Sequence, residues 1–243
     1  MHKRTSTIFY CFSPPVMMAT FIIEIALATY ALLRYRLNEV GKLIVATLVM
    51  LGVFQMAEYF VCGGAGFNAN QWSRLGYVAI STLPPLGLHM MYAINKSPNN
   101  RLIMLAYGSM AAFIAYFLLS PTAFSGHQCT GNYVIFQLGH VPSYLYGLYY
   151  YGWLLIALGV GYRFIMKSTS SPATKNSTKA LMAGYSVFLV PTAIVYAINP
   201  ETRAGIPSIM CGFAVLFAII LAGYILPNSV TKKSRSLPID ANN

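Results

Sequence analysis

The chain has 243 residues, 57% of them hydrophobic and only 9% charged, with a mean hydropathy of +0.59. Soluble domains carry about 25% charged residues, so this composition excludes an ordinary water-soluble enzyme or binding domain and points to the bilayer. A net charge of +11 would suggest a nucleic-acid partner for a soluble protein, but here the basic residues stand between apolar runs, where membrane topology explains them and no nucleic acid is expected.

A helix needs about 20 mostly apolar residues to cross roughly 30 Å of hydrocarbon. Seven segments meet that requirement, about 14–33, 43–62, 75–94, 102–124, 143–166, 180–198 and 206–226. No run alternates like a barrel strand, and helices satisfy their own backbone hydrogen bonds in lipid. The expectation is an all-α integral membrane protein, a seven-transmembrane helix bundle in one domain over 1–226, with a short basic tail over 227–243. Basic residues set the orientation. With the N-terminus outside and the C-terminus cytoplasmic, twelve Lys and Arg fall on the inner side, and four, Lys3, Arg4, Arg74 and Arg203, fall outside. The location is a cell membrane, crossed several times. The start does not read as a cleaved signal, because Glu24 interrupts its apolar part.

The first predicted helix carries Glu24 close to the midplane. In the second, "FQMAEYFVC" (54–62) sets Gln55, Glu58, Tyr59 and Cys62 at i, i+3, i+4 and i+7, a single stripe, with Glu58 about one turn below the outer boundary. These are the two carboxylates within the spans. A charge at the bilayer centre costs on the order of 3 kcal/mol, and neutralising a glutamate at pH 7 costs about 3.7 kcal/mol. The near tie leaves such an acid either neutral and hydrogen-bonded or charged and paired, and intramembrane acids mark functional sites.

The third helix places Ser81 and Thr82 at mid-depth, just before Pro84 and Pro85, and His89 lower, where an interhelical hydrogen bond suits it. The outer loop "SGHQCTGNYVIFQLGHVP" (125–142) suits a lid over the bundle mouth. The fifth helix opens with "SYLYGLYYYGW" (143–153), which brings Tyr149 to the outer half, while Tyr144 and Tyr146 suit the headgroup interface. The inner stretch "KSTSSPATKNSTK" (167–179) reads as a flexible basic loop that could touch anionic lipid or a partner. The sixth helix carries Pro191, a kink position like Pro84 and Pro85, and Tyr196. Together Glu24, Gln55, Glu58, Tyr59, Ser81, Thr82, Tyr149 and Tyr196 describe an outward-facing cavity with an acidic floor and aromatic walls, suited to a small amphipathic or cationic ligand or a proton. All four cysteines fall toward the oxidising side. They allow a bridge such as Cys62–Cys129 or simply pack as small apolar residues; the spacing alone does not decide the pairing. No cofactor and no metal ligand set is expected, since His127, Cys129 and His140 match no zinc spacing.

In order, "LLRYR" (32–36), "FQMAEY" (54–59), "LGYVAISTLPPLGLHMMYAI" (75–94) and "GHVPSYLYGLYYYGWLL" (139–155) resemble the seven-helix sensor module at the N-terminus of some membrane histidine kinases. The likeness covers the first five helices and fades over the last two. It implies an extracytoplasmic ligand sensor. No kinase or PAS domain follows the seventh helix, so a sensor of this kind would act through a separate signalling partner. The competing reading is a small-molecule or proton-coupled transporter, against which no internal repeat and no matched pair of broken helices is found. A third, an intramembrane hydrolase of the ceramidase- and adiponectin-receptor-like kind, needs several zinc-binding histidines, and the sixth and seventh helices contain none. The chain is therefore not expected to be an enzyme.

Overall fold

A computed structural model describes residues 14–63, 66–129, 134–167, 171–198 and 206–233. Seven long helices dominate: α1 (Pro14–Arg34), α2 (Glu39–Gly63), α3 (Ala69–Ile94), α4 (Asn100–Leu119), α5 (His140–Met166), α6 (Pro172–Ile198) and α7 (Ile206–Ile220). The last runs through a π-helical turn, Leu221–Ile225, into the short α8 (Leu226–Ser229). Three of them, within Pro15–Arg34, Glu39–Cys62 and Asn100–Leu119, are long and apolar enough to cross a membrane, which marks the chain as a membrane protein.

Side-chain burial explains why hydropathy differs among the helices. α3 is the central one, packed against α2, α4, α5 and α6. It tolerates a polar first turn and two prolines because little of it faces outward. The α4 backbone runs close to α3 and meets α5 through side chains, and only Ala106 and Phe117 are buried along it. Its exposed Met104, Leu105, Leu118 and Leu119, with Leu148, Leu155 and Met166 of α5, present hydrocarbon all round. In water such a surface would drive aggregation; against lipid it is the ordinary exterior of a span.

Successive helices run in opposite directions, which the cross-links between their ends show. Glu39 at the start of α2 meets His89 near the end of α3 at 3.0 Å. Asn95, which follows α3, donates to Thr178 in the early turns of α6 at 3.0 Å. Beyond α1, Arg36 N–H donates to the Thr231 carbonyl, and the Lys233 N–H returns a bond to the Arg34 carbonyl, both 2.9 Å. Lys233 Nζ adds a bond to the Leu32 carbonyl at 2.8 Å, satisfying one of the open acceptors at a helix C-terminus. Residues 227–233 are thus held to the end of α1 through α8 and these bonds.

The basic stretch 167–179, expected as a loop, becomes helical from Pro172. Proline suits the first helical position, since its missing N–H has no partner there, and the Ser171 hydroxyl accepts from the Thr174 N–H as an N-cap at 3.2 Å. Likewise the fourth helix ends at Leu119 rather than 124. Arg74 explains the stop: its guanidinium donates to the carbonyls of Phe117, Leu118 and Ser120, closing the α4 C-terminus.

The outer loop holds a feature that hydropathy did not suggest, an antiparallel hairpin of β1 (Gly126–Cys129) and β2 (Val134–Gln137) with Gly126 opposite Gln137 and Cys129 opposite Val134. Alternation turns Val134 and Phe136 inward, and both are buried. The Phe136 ring fits between Phe54 of α2 and Tyr77 of α3, 6.1 and 5.4 Å from their centroids. A disulfide joins Cys129 to Cys62 at the end of α2, with Cα atoms 5.9 Å apart. The hairpin therefore lies over this end of the bundle.

Candidate functional site

The expected site residues separate into two clusters. The first lies between α1 and α2. Glu24, Gln55 and Glu58 are 0%, 2% and 1% exposed, and the two carboxyl groups are within Coulombic range of each other. Neither oxygen of Glu24 accepts a hydrogen bond from any described residue. The helix sequence accounts for the burial. Phe54 and Ala57 meet Gly76 of α3, where a methyl group would stand 3.3–3.5 Å from them, so the adjoining face of α2 turns its polar side chains into the bundle. On the α1 side, Gly52 lies so close to Ile25 that a Cβ there would sit 2.8 Å from its Cδ1. The Ile25 side chain packed on Gly52 closes α1 against α2 next to the fully buried Glu24.

The second cluster joins α3 to α5. A proline has no N–H, so Pro85 leaves the carbonyl of Ser81, four residues earlier, without its helical donor. The Tyr149 hydroxyl of α5 donates to that carbonyl. The Ser81 hydroxyl donates to the Tyr77 carbonyl at 2.6 Å and lies 3.2 Å from the Tyr146 hydroxyl. Tyr146 packs on Tyr77, Phe113 and Phe117 with centroid distances of 5.2–5.4 Å, and Trp153 Nε1 donates to Ser109 of α4 at 2.9 Å. α3 stays helical through both prolines, and for Pro85 a neighbouring helix supplies the missing donor. Pro191 likewise stands inside a continuous α6.

Ser81 and Tyr149 thus meet each other. Thr82 is half-buried and bonds back to the Ala79 carbonyl at 2.7 Å. Tyr59 is half-buried, edge-on to Phe60 at 5.3 Å. The side chain of Tyr196 lies outside the described residues. Tyr144 is 58% exposed, as an interface aromatic should be, whereas Tyr146 is 7% exposed and belongs to the core. The two sit on opposite sides of α5 because they are two residues apart, and this spacing was the signal available for separating them. His89 bridges helices, bonding Tyr107 at 3.2 Å besides Glu39. Among the described residues no three His, Cys, Asp or Glu side chains gather as a metal site.

A cavity of about 620 Å³ opens at the opposite end from the hairpin, where α3, α4 and α5 meet, and Arg101, Arg163 and Lys167 line it. None of the eight expected ligand-binding residues does.

No protein-family model matches this chain, and no curated protein sequence matches it significantly.

Proposed function

We propose that the chain is a seven-span protein of a cell membrane, N-terminus outside, and that it is a sensor or receptor-like module whose responsive element is the Glu24–Glu58 pair. The alternating helices support the topology, as does the gathering of Arg34, Lys42, Lys96, Arg101, Arg163, Lys167 and Lys233 at one end, with the Cys62–Cys129 bridge at the other. Positive charge is retained on the cytoplasmic side, and disulfides persist on the oxidising side.

One observation carries the functional reading: Glu24 is wholly enclosed, has no hydrogen-bond donor among the described residues, and lies within Coulombic range of a second buried carboxyl, that of Glu58. Two desolvated carboxylates within range of each other repel, so Glu24, which lacks a donor among the described residues, needs a proton or a small cation. Such a pair on two adjacent helices changes its charge when that occupant leaves, and helix packing must respond. The π-helical turn of α7 packs against α1. Leu221 and Glu24 stand equally far ahead of the Tyr35–Lys232 bridge that joins the two helices, which brings this irregular turn near the level of the acid. π turns gather at functional sites. The output passes through a separate partner at the basic end.

The test is the melting temperature of the purified full chain from acidic to alkaline pH, and with added small monovalent cations. The wild type should show a pH- or cation-dependent melting temperature that is flattened in Glu24→Gln and Glu58→Gln. Identical profiles in all three proteins would overturn the reading. A proton-coupled carrier is the second reading, favoured by the same two acids on adjacent helices. In that case proteoliposomes show substrate flux driven by a pH gradient and abolished by Glu24→Gln, and a sensor shows none.

A further inference from the structure

The cavity at the basic end has a chemistry unlike that of the acid pair. Its three cations come from two helices. Arg101 stands in the first turn of α4; Arg163 and Lys167, four residues apart and on one face, stand at the end of α5. All three are exposed. No described carboxylate neutralises them. Of the three described acids, Glu24 and Glu58 are in the core and Glu39 binds His89. The Lys167 ammonium lies over the Phe164 ring, 5.9 Å from its centroid, which holds it toward the cavity. The first turn of α4 adds amide groups at the same mouth, where Asn99 takes those of Leu102, through its side chain, and Ile103, through its carbonyl. Helix N-termini favour anions.

The other wall is apolar. Val160 and Phe164 line the cavity, and the α4 and α5 backbones stand apart, their side chains meeting from Ser109 and Trp153 toward the hairpin end. The exposed Met104, Leu105 and Met166 continue the apolar surface from the mouth. Three unneutralised cations above a hydrocarbon-faced groove complement a molecule with an anionic head and an apolar tail. The volume, about 620 Å³, falls within the roughly 300–1,000 Å³ typical of ligand sites.

We propose that this cavity binds the phosphate headgroup of an anionic phospholipid of the inner leaflet, with its acyl chains along the α4–α5 groove. Arg101 and Arg163 offer the planar forks that suit phosphate oxygens, and basic pockets between membrane helices at the cytoplasmic side take such headgroups. The inference rests on the membrane reading above but not on the acid pair, and its test leaves Glu24 and Glu58 untouched.

The experiment counts phosphatidylglycerol retained by the intact chain in native mass spectrometry, after purification from bilayers of phosphatidylcholine with added phosphatidylglycerol. Wild type should keep phosphatidylglycerol over phosphatidylcholine. The variant Arg101→Gln/Arg163→Gln/Lys167→Gln should lose on the order of a hundredfold in apparent affinity, because each cation at an anionic surface contributes a factor of about five. Removing three exposed charges elsewhere at the same end, in Arg36→Gln/Lys42→Gln/Lys179→Gln, should leave affinity within about threefold. Val160→Trp fills the cavity while keeping every charge and should also lose the lipid, so loss of folding in the triple variant does not leave the matter open. Equal losses in the two triple variants, or no preference between the two lipids in wild type, would overturn the proposal. So would inorganic phosphate alone raising the melting temperature of wild type and not of the cavity variant, since the occupant is then a free anion.

Discussion

Two polar clusters lie inside the same bundle, and they are built in opposite ways. In the α3–α5 cluster a proline removes a backbone donor, and Tyr149 replaces it at the Ser81 carbonyl. The unmet group is met, and the network closes. In the α1–α2 cluster Glu24 is equally enclosed, yet neither of its oxygens accepts a hydrogen bond from the described residues. A buried polar group without a partner weakens the fold, so its retention needs a reason other than stability. Burial alone therefore does not separate structure from function here; satisfaction of the buried group does.

That contrast can be broken by experiment. The largest effect should come from unlinking the hairpin, whose Phe136 touches both α2 and α3. Cys62→Ser opens a loop of 67 residues, for which chain entropy gives a loss of about 4 kcal/mol; thermal melts with and without reductant should match the variant only when the bridge is reduced. Next, Glu24→Met replaces a desolvated acid by an apolar side chain of similar volume. Stability should rise by about 2–3 kcal/mol, measured as a higher melting temperature, while any pH or cation response disappears. A lower melting temperature would mean that Glu24 is structural. Tyr149→Phe should do the reverse, lowering stability by about 1–3 kcal/mol because the Ser81 carbonyl is left without a donor, with the pH response intact. The smallest effect belongs to Lys233→Met. It removes a bond to the Leu32 carbonyl at the exposed end of α1 and should shift the melt by an amount equivalent to about 0.3–1 kcal/mol.

The helices themselves were legible because crossing a membrane requires a length of apolar chain, and the runs at 14–33 and 43–62 satisfy it with little ambiguity. Their polar ends were not. The segment before 180 looks like a loop by composition, yet Pro172 and the Ser171 cap start α6 there. The hairpin escaped notice because four-residue strands flanked by glycine carry little periodic signal. Within the site, Gln55 and Glu58 were legible as one stripe, and their burial follows from it. What composition could not give is the direct bond between Ser81 and Tyr149 across α3 and α5. The signal was present in Pro85, whose missing N–H opens the carbonyl of Ser81, but the donor lies 68 residues away in sequence.

Apolar length, the excess of basic residues at alternate connections and the presence of two acids inside spans are sums over single residues, and the amino-acid sequence determined them unaided. Which helix α4 leans on, that Glu24 comes within Coulombic range of Glu58, and that Arg101 shares a cavity with Arg163 and Lys167 were decided only by tertiary packing. The physical reason is directional. A helix that is hydrophobic on nearly every side bears no stripe to say which face turns inward, so its rotation is set by close fits such as Gly76 against Phe54 and Gly87 against the Tyr185 ring.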